Sequence, residues 1–280
     1  MQLKNGTSLL VVDLKKGAAI EELSLCHEPI LRKEDGGYYQ AALLFPFPNR
    51  LKQGQYSFEG KNYAFPHNDI ELPNALHGMV HGREFIIDTQ GENYTCLKLS
   101  YGGEEEHYPF PFNLFITYRL EETTLEIELE VFNTGSGNLP CGFGWHPYFY
   151  TEEYEKAELK LPTLKQVEID DLMIPTGRKG PFNTFDTFEK VSKQVLDTCF
   201  KLNPTNNKFV SLLRLSNGYT VEVWQDSNFE YLQVFTPKEK TSVAIEPMTC
   251  NIDALNNGEG LKILAPQEHW KVSFGIKLKK

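Results

Sequence analysis

Apolar and polar residues alternate at every second position along much of this chain. The pattern is clearest over residues 124–132, where Leu125, Ile127, Leu129 and Val131 point one way and Glu126, Glu128 and Glu130 the other. Successive side chains of an extended backbone lie on opposite faces, so this stretch predicts a half-buried antiparallel strand. Noisier alternation predicts further strands around 94–99, 115–120, 219–224, 231–235, 242–245 and 272–278. Turn chemistry separates them at short intervals: Asn5-Gly6, Asp35-Gly36-Gly37, Glu59-Gly60, Gly102-Gly103, Gly135 to Asn138, Asn217-Gly218 and Asn257-Gly258. Many short strands with frequent turns predict an all-β sandwich or barrel. Residues 187–196 have helical composition but are short and lack a glycine cap, so helix and non-helix both remain open there. No internal repeat, low-complexity tract or linker breaks the chain, and residues 1–280 are expected to form one domain.

Composition narrows the function classes. The 40% hydrophobic and 24% charged residues are the ordinary balance of a soluble globular protein. Formal charge is −10, from 38 acidic against 28 basic residues, with no Lys/Arg-rich block to follow a phosphate backbone. Nucleic acid is therefore excluded as an expected partner, and a neutral small molecule fits the mean field best. Five cysteines, at 26, 96, 141, 199 and 250, are odd in number, scattered and without zinc spacing. They are expected to be reduced core residues, with no metal. Only Leu9 to Val12 is apolar near the N-terminus, so no signal peptide is visible, and no apolar run approaches the roughly 20 residues that span a bilayer. Cytoplasmic residence without a membrane partner is the expectation.

Four segments place polar groups among aromatic and proline-rich sequence. In Phe45-Pro46-Phe47-Pro48-Asn49-Arg50-Leu51 two prolines disfavour a central strand and present Asn49 and Arg50 at an edge or loop. Arg50 there could donate to sugar hydroxyls or a carboxylate, or simply cap a surface turn. In Ala75 to Phe85, His77 and His81 are four apart, but Gly78 and Gly82 argue against a helix and so against a metal pair; His77 reads equally as structural or substrate-binding. In Pro140 to Phe149, His146 lies in a rigid aromatic setting of Gly142, Gly144, Trp145, Pro147 and Tyr148, whose flat faces suit the apolar side of a pyranose. In Val243 to Asn257, Glu246 ends an apolar strand, held by Pro247 where regular structure is expected to stop. A buried carboxylate needs either hydrogen-bond partners or a chemical role. No Gly-x-Ser-x-Gly elbow, dinucleotide fingerprint or phosphate loop occurs.

In this order, and followed by the closing stretch from Leu261 to Leu278, these segments resemble the aldose 1-epimerase (galactose mutarotase) family in its broader bacterial branch, over residues 5–278. The resemblance implies a large antiparallel β-supersandwich and a cofactor-free, metal-free isomerase that interconverts the α and β anomers of a free sugar, as a monomer or homodimer. It also implies Glu246 as catalytic base and His146 as catalytic acid. Asn49, Arg50, His77, Asp197 in "LDTCF" and Gln233 in "YLQVFT" would bind substrate, with Asp226 in "WQDS" competing for the aspartate role. Base and acid would lie on opposite sides of the C1–O5 bond. Proline after His146, and "HPYFY" without the asparagine frequent in the galactose branch, leave the sugar open. The rival readings are a hexose-6-phosphate 1-epimerase, for which Arg83 and Lys52 could hold phosphate, and a noncatalytic carbohydrate-binding protein. A glycoside hydrolase ranks last, because Glu246 has no convincing second carboxylate.

Overall fold

The computed structural model describes residues 1–32, 39–162, 164–203 and 208–280. The Asp35-Gly36-Gly37 turn lies outside the described residues. Strands dominate, and among the described residues they assemble into two large antiparallel sheets. From edge to edge, the first orders Gln2–Asn5, Ser8–Asp13, Ala19–Leu25, Glu28–Leu31, Tyr148–Tyr150, Ser242–Met248, Tyr231–Phe235, Asp197–Leu202, Leu164–Ile169 and Pro175–Phe182. Two short strands, Leu43–Leu44 and Gly144–Trp145, attach beside Ser242–Met248. The second sheet orders Ile86–Gln90, Tyr94–Tyr101, Phe112–Leu120, Thr124–Asn133, His269–Lys279, Thr220–Gln225, Phe209–Arg214, Glu158–Lys160 and Glu189–Lys190.

The clean alternation over 124–132 becomes strand Thr124–Asn133, with Leu125, Ile127, Leu129 and Val131 buried. The inner faces of the two sheets share one apolar core, which contains those residues together with Leu10, Leu23, Val243, Ile245 and Phe274. Trp145 packs on Phe274 with ring centroids 5.0 Å apart, and Tyr118 of the second sheet donates its hydroxyl to Ala18 O at 2.7 Å. Seven buried residues in succession make up Ser242–Met248, because its inner face meets the second sheet while loops cover its outer face.

Three local expectations are revised. Cys141, Cys199 and Cys250 lie in the core, but Cys26 and Cys96 are only half-buried. Residues 187–196 form a short strand, Glu189–Lys190, and a single 3₁₀ turn, Val191–Lys193; Val191 anchors the turn in the core, and no longer helix forms. Regular structure also does not stop at Glu246, since the strand runs on through Pro247 to Met248, with Pro247 opposite Leu232. Proline is tolerated because the neighbouring strand is interrupted beside it. No helix among the described residues is long and apolar enough to cross a membrane.

Candidate functional site

Strand register builds one wall of the site. Glu246 pairs with Gln233, Phe235 with both Ala244 and Asp197, and Tyr148 with Ala244. Paired residues share a face and positions two apart repeat it, so Tyr148, Glu246, Gln233, Phe235 and Asp197 all project from the outer face. Their sequence neighbours Phe149, Ile245, Val234 and Leu196 project into the inter-sheet core.

The same register brings His146 to Glu246. Gly144 pairs with Met248 and Tyr148 with Ala244, so the intervening His146 falls opposite Glu246. Thr249 N–H donates to Phe143 O at 2.9 Å, which makes Gly144/Met248 and, two steps on, His146/Glu246 non-hydrogen-bonded positions, where opposing side chains stand closest. The two main-chain donors that would close the ladder around that pair belong to positions 147 and 247, and both are proline. The ladder therefore opens at the pair, and His146 N–H turns away to Ala42 O at 3.1 Å. His146 Nε2 stands 3.6 Å from Glu246 Oε2.

Loops form the other wall, and here the backbone does unusual things. Asn49 and His77 adopt left-handed conformations, at φ 57° and 63°, which are strained for histidine and better tolerated by asparagine. Gly78 follows at φ 65°, and a Cβ there would lie 2.2 Å from Phe45 O, so only glycine fits. Asn49 N–H donates to His77 Nδ1 at 3.2 Å, and His77 N–H donates to Asn49 O at 2.9 Å. With Nδ1 accepting, the proton of neutral His77 belongs on Nε2. Burial holds His77 well below its ordinary value, and the nearby His146, His81 and Arg50 push it the same way. Arg50 N–H donates to Asn49 Oδ1 at 2.9 Å, and Arg50 Nε donates to Asp69 Oδ2 at 2.9 Å.

These walls enclose a pocket of about 420 Å³. Asn49, Arg50, His77, His146, Asp197, Gln233 and Glu246 all line it. Asp226 does not: its carboxylate accepts from Ser273 N–H at 2.6 Å and Asn228 N–H at 2.8 Å. Nor do Lys52 and Arg83, the latter paired with Glu105 at 2.9 Å. Among the described lining residues Arg50 is the sole Arg or Lys. No three His, Cys, Asp or Glu side chains among the described residues are grouped to hold a metal ion.

Burial dominates the electrostatics. Glu246, 2% exposed, is pushed well above the usual carboxylate range by desolvation and then by the charge of Asp197, against a smaller pull from Arg50. Desolvation lowers His146 to about 4. Asp197 is raised by burial, opposed by Arg50 and by the hydrogen bond from Gln233 Nε2 at 2.7 Å. Two buried polar atoms, His146 Nδ1 and Gln233 Oε1, have no hydrogen-bond partner among the described residues. Unsatisfied polar atoms at this depth are costly without a ligand or water. Burial thus favours the neutral imidazole of His146 and the protonated carboxyl of Glu246 over the ion pair.

Sequence reasoning missed Tyr39, Asn68, Asp69 and Glu71, which also line the pocket. Tyr39 packs edge-on against His77 with ring centroids 4.6 Å apart. The cluster His67-Asn68-Asp69-Ile70-Glu71 between Pro66 and Pro73 was a polar loop signal, but nothing in it pointed to Arg50.

Fold and site together define a class: a two-sheet, all-β protein whose outer sheet face carries a buried carboxylate beside an imidazole. A model of the family described as aldose 1-epimerase matches residues 1–277, and the chain belongs to that family. The Escherichia coli K12 protein YihR, itself named as uncharacterized, is 26% identical over 276 residues, covering 93% of this chain and 87% of its own length. Rat galactose mutarotase is 26% identical over 151 residues, 51% of this chain but only 43% of that relative. A galactose mutarotase-like protein from Clostridium acetobutylicum superimposes with a TM-score of 0.88 at 20% identity, covering 100% of this chain and 94% of that one. Galactose 1-epimerase from Lactobacillus acidophilus NCFM gives 0.81 at 18% identity, covering 99% and 93%. At these identities the superpositions establish the galactose mutarotase-like fold.

Proposed function

We propose that this protein is an aldose 1-epimerase acting on a free, uncharged sugar. The observation that carries the reading is the placement of Glu246 and His146 3.6 Å apart in one pocket that Arg50, His77, Asp197 and Gln233 also line. Van der Waals contact needs about 3.5 Å on each side of a ring, so no sugar stands between these two groups. They sit side by side, and the hemiacetal edge, O1 and O5 on one carbon, meets both at once. This replaces the expectation of groups on opposite sides of the C1–O5 bond.

Ionised Glu246 takes the O1 proton while protonated His146 gives one to O5, and the ring opens to the aldehyde. Rotation about C1–C2 then presents the other carbonyl face, and closure returns both protons. Opening leaves Glu246 protonated and His146 neutral, the arrangement that burial favours. Opening and closing are thus two forms of one single-proton pair, with Arg50 drawing Glu246 toward its ionised form. Neutral His77, with Nε2–H available, and the Asp197–Gln233 pair position the remaining hydroxyls within hydrogen-bond reach.

A phosphosugar epimerase would use the same pair, but Arg83 and Lys52 stand outside the pocket. The test is polarimetry of freshly dissolved α-glucose, α-galactose, α-xylose and glucose 6-phosphate. We expect the purified chain to speed the drift of at least one free aldose far above the spontaneous rate. Sugar binding without any acceleration would favour a noncatalytic binding protein and end this reading.

A further inference from the structure

A guanidinium is an effective anion receptor, because its fixed fork of donors matches carboxylate and phosphate. Arg50 nevertheless shares its pocket with Asp69, Glu71, Asp197 and Glu246, four carboxyl groups around one cation. Asp69 is fixed in place. Its Oδ2 accepts from Arg50 Nε at 2.9 Å, its Oδ1 accepts from Glu71 N–H at 3.2 Å, and its own N–H donates to Asn74 O at 3.3 Å. Asn68, the preceding residue, ties the loop down by accepting Leu76 N–H at 2.6 Å and donating to Leu76 O at 3.1 Å. The Arg50 and Asp69 side chains are only 13% and 5% exposed, so solvent screens the pair weakly.

We infer that Asp69 is a positioning and specificity-determining residue: it aims the guanidinium of Arg50 at sugar hydroxyls and cancels its charge, so that the pocket turns over uncharged aldoses in preference to phosphorylated or carboxylated ones. The inference rests on the epimerase reading and adds the residue that sets its charge class. A paired guanidinium still donates hydrogen bonds from its terminal nitrogens, but an anion approaching it meets the acidic groups beside it. Removing the Asp69 charge frees Arg50 to attract anions and leaves it less well aimed at neutral rings.

The test measures anomerisation of glucose, glucose 6-phosphate and glucuronate by NMR exchange at low salt, for the wild type, Asp69→Asn and Asp69→Glu. For Asp69→Asn, kcat/KM on glucose should fall about tenfold, mainly through KM, while kcat/KM on the two anionic sugars rises about tenfold. Asp69→Glu should keep the wild-type preference. In the wild type, added salt should raise kcat/KM on glucose 6-phosphate and leave glucose unchanged, a readout that needs no folded variant. An Asp69→Asn protein that loses all three activities in proportion, or a wild type whose glucose 6-phosphate rate falls with salt, overturns the inference. A wild type that anomerises nothing overturns instead the reading on which it rests.

Discussion

The two walls of the pocket are built by different means. The strand wall, Tyr148, Glu246, Gln233 and Asp197, is set by antiparallel register, and none of these residues has positive φ. The loop wall depends on left-handed Asn49, His77 and Gly78 and on side chains bonded to backbone, such as Asn68 to Leu76 and Asn49 to Arg50. Reacting groups on a sheet are held to small tolerances by the core behind them, whereas recognition groups on loops can change without disturbing that core. On the proposed reading the acid–base chemistry falls to the strand side, where Asp197 and Gln233 also hold hydroxyls, and the charge class of the sugar is set by Arg50 and Asp69 on the loop wall.

Substitutions can break this division, beginning with the largest effect. Glu246→Gln should lower kcat by about 10³–10⁴-fold, the upper range for a general acid–base group. Its circular dichroism should match the wild type, because the amide keeps the shape without an ionisable buried group; a misfolded protein would make Glu246 structural. His146→Asn should cost about 10²-fold in kcat, with KM nearly unchanged in steady-state assays. On the loop wall, Arg50→Lys should raise KM about tenfold and leave kcat within about twofold, since a point charge cannot reproduce the planar fork. An equal fall in kcat would place Arg50 in the chemistry and blur the two walls.

Effects on stability sharpen the contrast. Gly78→Ala combines a left-handed backbone with a Cβ 2.2 Å from Phe45 O, and should destabilise by roughly 3 kcal/mol or more in thermal or urea melts. A smaller effect concerns pH. The folded value of His146 is lowered to about 4 from an ordinary 6.5, so the unfolded chain binds a proton first. His146 therefore contributes stability that is present above pH 6.5 and lost as pH falls toward 4, at most about 3 kcal/mol. Glu246 is shifted upward, so its contribution runs the other way and is lost as pH rises through its folded value. His146→Asn should flatten the melting temperature between pH 6.5 and 4, and an unchanged slope would mean that His146 is not held neutral by burial.

How far the sequence revealed this depended on whether two-residue periodicity survived burial. Residues 124–132 were legible because one face meets the core and the other solvent. Ser242–Met248 was blurred because both faces are covered, and its extension through Pro247 was hidden because the compensating gap lies in a strand a hundred residues away. The motifs nominated Glu246 and His146 separately, but their side-by-side placement follows from a register that no local pattern encodes. Asp197 and Asp226 were separated only by geometry, one on the pocket face and the other capping Ser273. Asp69 escaped notice because a surface-like polar loop reveals nothing of the arginine it folds onto.

Glu246 and His146 are proposed to work as one unit on one hemiacetal, and the double variant is the sharpest probe of that coupling. Groups acting in concert lose their joint contribution when either is removed. Polarimetry should therefore find kcat of Glu246→Gln/His146→Asn within about threefold of the worse single variant. Losses that multiply, leaving the double variant slower by the product of the two single effects, would show two independent groups and contradict the account.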